Sequence, residues 1–347
     1  MSVFSQAEFD DHEQVVFCSD KASGLKAIIA VHNTNCGPAV GGCRFWNYAS
    51  DEEALVDVLR LSKGMTYKNA LAGLNFGGGK AVIIGDPKLL KSDELFRAFG
   101  HALNNMNGTY YSAEDVNITT GDIMIAHQVT DYVVGLEGKS GNPAPFTALG
   151  TYLGIKAAVK HRLGKDDLAG VKLSIQGLGS VGMYLCERLH KDGAELFVTD
   201  INQDSIDKAV TEYAATAVAL DEIYALDVDV YVPCALGATI NDETIPQLKA
   251  KIVAGCANNQ LKEPRHGDKL TELDILYAPD YVINAGGIIN IFFEQDEDGY
   301  SADKATAKVG EIYQTLTEIF ERSKADNMPT YKVADIMAQE IIANGGK

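Results

Sequence analysis

The run Gly177-Leu178-Gly179-Ser180-Val181-Gly182 constrains this chain more than any other segment. It is a complete GxGxxG between residues 171–176 (VKLSIQ), which read as a strand, and residues 180–191, which read as a helix. In such a turn Gly177 permits the bend, Gly179 lets the backbone approach a pyrophosphate, and Gly182 lets helix and strand pack closely. The helix start, with Ser180 and Val181, offers unpaired N–H groups to the phosphates. The next strand, 195–199 (ELFVT), ends at Asp200, 23 residues after Gly177. That is close to the spacing of about 20 expected for a ribose-binding acid. A carboxylate there accepts from both ribose hydroxyls and repels a 2′-phosphate, and no Lys or Arg follows until Lys208. The expected cofactor is therefore NAD rather than NADP. A βαβ unit with a glycine-rich turn and no ligand is the plainer reading, and this context argues against it.

The surrounding pattern extends the argument. A helix is expected over 147–163, and further βα pairs around 228–232 (VDVYV), 251–254 (KIVA) and 281–283 (YVI). This alternation predicts a parallel sheet covered by helices on both faces. Residues 304–323 and 332–343 read as helices. In the first half, 24–32, 81–84 and 109–113 read as strands. A helix opens at Ser50, with Glu53 completing a capping box and Leu55, Val58, Leu59 and Met65 at helical spacing. Another follows Ser92 and carries Leu95, Phe96, Phe99, Ala102, Leu103 and Met106. The densest Gly/Pro punctuation is Gly138–Pro145 (GKSGNPAP), which marks a boundary or hinge. With 347 residues, the expectation is a two-domain α/β protein. Residues 1–137 form the first domain, 138–325 a Rossmann-type doubly wound NAD-binding domain, and 326–347 a helix returning towards the first.

Charge and cysteines narrow the class. Lys plus Arg number 30 against 48 Asp plus Glu, a net charge of −18 that repels phosphate backbones and anionic lipid. No nucleic-acid or membrane partner is expected. Six cysteines (Cys18, Cys36, Cys43, Cys186, Cys234, Cys256) show no CxxC and no metal-ligand spacing, so no metal is expected and reduced thiols are. The first residues lack signal-peptide character, and no apolar run reaches the ~20 residues that span a bilayer. The chain reads as cytoplasmic.

The chemistry concentrates in residues 63–80, KGMTYKNALAGLNFGGGK. Lys68 and Lys80 bracket an uncharged, largely apolar stretch, and Lys80 lies between three glycines and the apolar strand Ala81–Ile84. Burial there disfavours an ammonium and suits general-base work. Two surface lysines beside a flexible turn are the alternative. A P-loop is excluded, because no Ser or Thr follows Lys80 and the spacing fails.

The runs GPAVGGCRFW (37–46), KGMTYKNALAGLNFGGGKAVIIGDP (63–87) and SAEDV (112–116) resemble the leucine/phenylalanine/valine dehydrogenase family. SGNPAPFTALG, QGLGSVG, PCALGATIN, NNQLKEPRHG and YVINAGGIIN extend the likeness over nearly the whole chain. The resemblance implies NAD-dependent, reversible oxidative deamination of an L-amino acid to its 2-oxo acid and ammonia. It makes the first domain a substrate-binding and oligomerisation domain, with the active site in an interdomain cleft. It assigns Lys68, with Gly41 and Gly42, to the substrate carboxylate, Lys80 as the base and Asp115 as its proton-transfer partner. A base can activate water to attack the iminium left when hydride departs Cα. Thr147, Cys234, Ala235 and Asn259 match positions near the cofactor. Asn259 also matches one near the substrate, and Asn284 one near the nicotinamide amide or substrate.

The positions that line the family's side-chain pocket fall on Val40, Ala113, Val134, Ile288 and Ile291, all apolar. A glutamate carboxylate would be buried there unpaired. The implied substrates are leucine, isoleucine and valine, overlapping because a methylene discriminates by only ~1–3 kcal/mol. An aromatic or broad-range dehydrogenase is the enzymatic rival, and a non-catalytic NAD-binding regulatory protein the rival from another class. Three departures stand out: Val134 where threonine is frequent, Asn117 where glycine is common, and Gly182 where many relatives have alanine. The chain ends at Lys347, short of the tails of octameric relatives, so the expected homo-oligomer is a dimer.

Overall fold

The computed structural model describes residues 2–235 and 237–346. The chain divides into two compact units. One comprises Met1–Gly141, Ile291–Ser301 and Ala338–Lys347, the other Asn142–Asn290 and Ala302–Met337. The second unit is thus interrupted at 291–301, where the sequence reading drew a continuous segment from 138 to 325.

The first unit holds β1 (Gln14–Asp20), β2 (Leu25–Asn33), β3 (Ala39–Trp46), β4 (Gly77–Ile84) and β5 (Tyr110–Glu114) in the order β1-β2-β4-β3-β5. β1–β2 and β2–β4 pair antiparallel, whereas β4, β3 and β5 run parallel. Its helices are α1 (Asp51–Leu71), α2 (Pro87–Leu90), α3 (Asp93–Asn105) and α4 (Thr120–His127). β2 is apolar at nearly every position because both its faces are covered. Ala27, Ile29 and Val31 join Leu95, Phe96 and Phe99 of α3, while Ile28 and Ala30 join Ala54, Leu55, Val58 and Leu59 of α1. Ser50 caps α1 by accepting from the Glu53 N–H at 3.1 Å. The reciprocal bond of the expected box shifts by one residue: the Glu53 carboxylate accepts from the Ala49 N–H at 2.7 Å. Glycines let the end of α1 lie directly on the sheet, since a Cβ at Gly78 would sit 2.0 Å from the Thr66 nitrogen.

The second unit holds β6 (Lys172–Gln176), β7 (Glu195–Thr199), β8 (Thr216–Ala217), β9 (Val230–Pro233), β10 (Ile252–Val253) and β11 (Leu276–Tyr277). All pair parallel, in the order β11-β10-β9-β6-β7-β8. Read from the first strand outward this is the doubly wound 3-2-1-4-5-6 arrangement, with its switch point between β6 and β9. The remaining helices are α5 (Ala144–Leu163), α6 (Ser180–Lys191), α7 (Gln203–Tyr213), α8 (Pro264–Glu272), α9 (Asp280–Ile283), α10 (Gly286–Phe292), α11 (Ala302–Gly310), α12 (Ile312–Asp326) and α13 (Thr330–Ala343).

Two elements differ from expectation. Residues 281–283 belong to the short helix α9, and the last strand is β11, a few residues earlier. Val282 and Ile283 are apolar because they bury, with Ile283 against α5 where a Cβ on Gly154 would lie 2.4 Å from its Cγ1. A short apolar run cannot by itself tell strand from buried helix. The expected helix 304–323 is two helices, α11 and α12, meeting at Gly310, the poorest helix former in that stretch. Among the described residues, no helix is long and apolar enough to cross a membrane, and no group of three or more His, Cys, Asp or Glu could hold a metal ion.

Candidate active site

Lys80 lies within β4 and is 6% exposed. Its Nζ is ion-paired with Oδ2 of Asp115, which follows β5 directly. No acid near Lys80 in sequence fills that role, and the fold brings one from a separate strand. The period of two places Val40, Gly42 and Arg44 on one face of β3. Gly42 pairs with Ala113, and Asp115 lies two residues further on, so the carboxylate meets the same face. Gly42 is required there: a Cβ would lie 2.5 Å from the Glu114 oxygen and 2.8 Å from the Asp115 Cβ.

Burial alone would raise the Asp115 pKa, but the Lys80 ammonium, with Arg44 behind it, outweighs that and holds the carboxyl below its ordinary value. Arg44 Nε lies 3.8 Å from Asp115, and its Nη1 is 2.9 Å from Asp57, whose Oδ2 also accepts from the Tyr48 hydroxyl at 2.6 Å. Cys43, fully buried beside this group, has its thiol pushed well above its ordinary range by desolvation, so it offers no thiolate. Asn117, the departure from glycine, takes φ +60°, and its side-chain amide donates to the Phe45 carbonyl at 3.1 Å. Asparagine tolerates the left-handed region, so the turn that carries Asp115 keeps its shape.

The first unit also carries most of the other expected substrate groups. Lys68 is half-buried near the end of α1. The β3–β4 register pairs Val40 with Gly78 and next Cys43 with Ala81, stepping past Gly41 and Gly42. The Tyr110 hydroxyl donates to the Gly41 carbonyl at 2.7 Å and fixes that strand segment. Val40, Ala113 and Val134 are buried, and the Val134 N–H donates to the Ser112 carbonyl of β5 at 2.9 Å. Ile291 reaches the same segment: a Cβ on Gly135 would lie 3.8 Å from its Cδ1. Ile288 is half-buried on α10 and belongs to the second unit, so the five apolar positions are not all on one body. Sequence reasoning missed Arg44, Tyr110 and Asn69. Asn69 is fully buried, and its amide donates to the Gly77 carbonyl at 2.7 Å. A polar residue in the apolar run of 63–80 was the available signal for Asn69. Nothing marked the other two.

In the second unit the glycine turn follows β6. Gly177 has φ +107°, and a Cβ there would lie 2.6 Å from the Ala235 nitrogen. At Gly182 a Cβ would meet the Gly177 oxygen at 2.2 Å. Gly179 caps α6 with open space beside it among the described residues, and Ser180 and Val181 form the first turn. Asp200 accepts from the Leu178 N–H at 2.5 Å and the Asn202 N–H at 2.8 Å, tying the ribose acid to the phosphate turn. Lys208, the first cation after it, faces Glu212 at 4.0 Å.

Cys234 and Ala235 follow β9 at the switch point, where the Cys234 N–H donates to the Gln176 carbonyl at 2.8 Å. Thr147 lies in the first turn of α5, and a Cβ on Gly287 would lie 3.0 Å from its hydroxyl. Asn259 is exposed, with φ +52°. Asn284 is 6% exposed, and its amide donates to the Cys256 carbonyl at 3.0 Å and to Asn258 at 2.7 Å. Its buried Oδ1 has no hydrogen-bond partner among the described residues. Among the described residues, the open approach at Gly179 and the unsatisfied Asn284 oxygen fit a dinucleotide such as NAD.

A dinucleotide turn on one body and a buried lysine paired with a carboxylate on the other define a nicotinamide-dependent oxidoreductase. Residues 12–136 match the family described as Glu/Leu/Phe/Val dehydrogenase, dimerisation domain. Residues 197–345 match Glutamate/Leucine/Phenylalanine/Valine dehydrogenase. The chain belongs to this family of amino-acid dehydrogenases. It is 55% identical over 347 residues to leucine dehydrogenase of Bacillus cereus, covering 99% of this chain and 94% of that protein. To L-tryptophan dehydrogenase of Nostoc punctiforme it is 48% identical over 345 residues, covering 99% and 97%. A crystal structure of L-tryptophan dehydrogenase from Nostoc punctiforme superposes with a TM-score of 0.86 at 47% identity, covering 96% of each chain.

Proposed function

We propose that the protein catalyses the NAD-dependent, reversible oxidative deamination of branched-chain L-amino acids, leucine together with isoleucine and valine, to the 2-oxo acid and ammonia. The observation that carries this reading is the ion pair of buried Lys80 with half-buried Asp115, beside the apolar positions Val40, Ala113 and Val134. When bound, NAD accepts the hydride that leaves the substrate Cα. Lys68 and the Gly41–Gly42 backbone hold the substrate carboxylate and so aim Cα. Lys80 takes a proton from the water that attacks the iminium carbon, and Asp115 relays protons as the carbinolamine releases ammonia. The apolar wall leaves a charged substrate side chain unpaired and admits an aliphatic one.

In the second unit, Gly177, Gly179, Ser180, Val181 and Gly182 hold the pyrophosphate and Asp200 the adenosine ribose. Thr147, Cys234, Ala235, Asn259 and Asn284 serve the nicotinamide half. Ile291, on the first unit, contributes to the pocket, and Asn259 and Ile288 are the family-matched substrate positions that the second unit carries. The first unit thus serves substrate and catalysis, and the second NAD. In solution the chain forms a homodimer. The edge strand β1, with Phe17 60% exposed, supports a surface that self-association covers. Six free cysteines suit a reducing compartment, the cytoplasm.

The test is NADH formation across a panel of L-amino acids at alkaline pH, where more of the substrate amine is neutral. Highest kcat/KM for leucine, isoleucine or valine supports the reading. Preference for phenylalanine or tryptophan overturns the pocket and keeps the mechanism, in line with the tryptophan-dehydrogenase relative. NAD binding without any turnover makes the chain a nucleotide-binding regulator. Light scattering on the purified protein decides the dimer.

A further inference from the structure

Glu294 has no place in the chemistry described so far, yet its carboxylate gathers four donors from one short segment. The Gly135 N–H donates to Oε2 at 2.9 Å and the Leu136 N–H to the same oxygen at 3.4 Å. The Ser140 N–H donates to Oε1 at 3.2 Å, and the Ser140 hydroxyl donates to it as well. Segment 135–141 is built to curl around that group, because Gly135, Gly138 and Gly141 all take positive φ, at +78°, +83° and +64°. The result is a nest of converging donors whose anion comes from the chain itself.

The two pieces joined by this contact each carry a pocket position. Val134 immediately precedes the segment and is held to β5 through Ser112. Ile291 lies three residues before Glu294, with its Cδ1 3.8 Å from the position of a Gly135 Cβ. Phe292, next to Ile291, packs edge-on against Phe76 with ring centroids 5.0 Å apart. Glu294 is therefore the polar fastening, and Phe292 the apolar one, between the strand wall and the segment bearing Ile291. Both pieces lie in the first unit.

We propose that Glu294 is a positioning residue for substrate specificity: by clamping segment 135–140 it fixes the separation of Val134 and Ile291, and so the width of the side-chain pocket. The inference rests on the reading of Val134 and Ile291 as pocket walls, and the experiment separates the two ideas. Without the clamp the four donors turn to water, the walls part, and bulky substrates gain relative to leucine.

The measurement is kcat/KM for leucine and for phenylalanine, with KM for NAD, in the wild type and in E294A, E294Q, S140A and V134A. E294A is expected to narrow the leucine-to-phenylalanine ratio about tenfold, mainly through KM for leucine, with KM for NAD unchanged. S140A, which removes one donor, moves the ratio less and in the same direction. E294Q lies between, because its amide oxygen still accepts from the N–H groups while its amide nitrogen opposes them. If V134A changes the ratio while E294A and S140A, folded by circular dichroism, keep it, the clamp is wrong and the pocket stands. If V134A leaves the ratio unmoved, the pocket reading fails and the clamp fails with it. Should E294A not fold, S140A alone carries the decision: a moved ratio supports the clamp and an unmoved one overturns it.

Discussion

The nucleotide turn and the catalytic face are built in opposite ways. Gly177 to Gly182 is contiguous, and its ribose acid follows one strand later; Gly177 and Gly182 have their close contacts at the adjoining switch point and within the turn itself. The catalytic face is assembled from α1, β3, β4 and the exit of β5, and its two central residues come from different strands. A contiguous site tolerates damage one contact at a time, because backbone groups do most of the binding. An assembled site depends on a few side chains that have no substitutes.

The largest expected effect tests that contrast directly. Lys80→Ala removes the base and leaves Asp115 half-buried beside Arg44. Turnover should fall by several orders of magnitude, roughly 10⁴-fold, while the dissociation constant for NAD changes little. Retention of turnover within tenfold would remove Lys80 from the chemistry. The counterpart in the turn is milder. Asp200→Ala frees the Leu178 and Asn202 N–H groups and deletes the ribose acceptor, so KM for NAD should rise about 10- to 100-fold with kcat largely kept. A kcat loss matching that of Lys80→Ala would erase the distinction between the two regions.

What could be read in the sequence follows the same division. The turn, the strands around it and the helix from Ser180 to Lys191 were legible because their signals are local: a strand, three glycines and an acid at fixed offsets. The doubly wound class followed from alternation alone. The Lys80–Asp115 contact was not legible in that way. Only the family resemblance pointed to Asp115, because a lone acid after a strand has no pattern of its own. β3 escaped notice as a strand, since Gly41 and Gly42 interrupt it and both its faces are buried, which removes alternation. Arg44, Tyr110 and Glu294 act through partners far away in sequence, and no local rule reports such pairs. The short helix α9 was misread as a strand for the complementary reason: three apolar residues carry too little periodicity to decide.

A smaller effect tests how tightly the assembled face is packed. Gly42→Ala places a methyl 2.5 Å from the Glu114 oxygen, and backbone cannot yield there without moving Asp115. We expect kcat to fall about 100-fold, with thermal stability lowered by roughly 1–3 kcal/mol of overpacking. Gly179→Ala, with open space beside it in the structure, should leave stability unchanged and raise only KM for NAD. Equal loss of stability in both variants would show that the two regions are packed alike.

The smallest expected effect on activity concerns acid and again separates the two bodies. His12 and His32 are buried on the first unit with ring centroids 4.9 Å apart. His32 Nδ1 contacts the Thr66 hydroxyl at 2.8 Å, and Thr66 is the residue packed against Gly78, two positions before Lys80. Asp10 lies 3.5 Å from His32 and would favour its charged form. Burial outweighs that, helped by His12 and Lys63, and pushes the His32 pKa down to about 4, while burial also lowers that of His12. A histidine whose folded pKa lies below its unfolded value of about 6.5 contributes stability that is complete above 6.5. That contribution declines as pH falls towards 4, because the unfolded chain binds the proton first. The loss from His32 amounts to about 3 kcal/mol at most. Between pH 7 and 4.5, hydrogen exchange should therefore rise in residues 25–33 and 62–71 while residues 172–199 of the second unit stay protected. His32→Asn should flatten that pH dependence at a fixed cost in stability, with turnover at pH 8 close to wild type. Simultaneous loss of protection in both bodies would show that acid acts elsewhere, and that the assembled face is not the more vulnerable of the two.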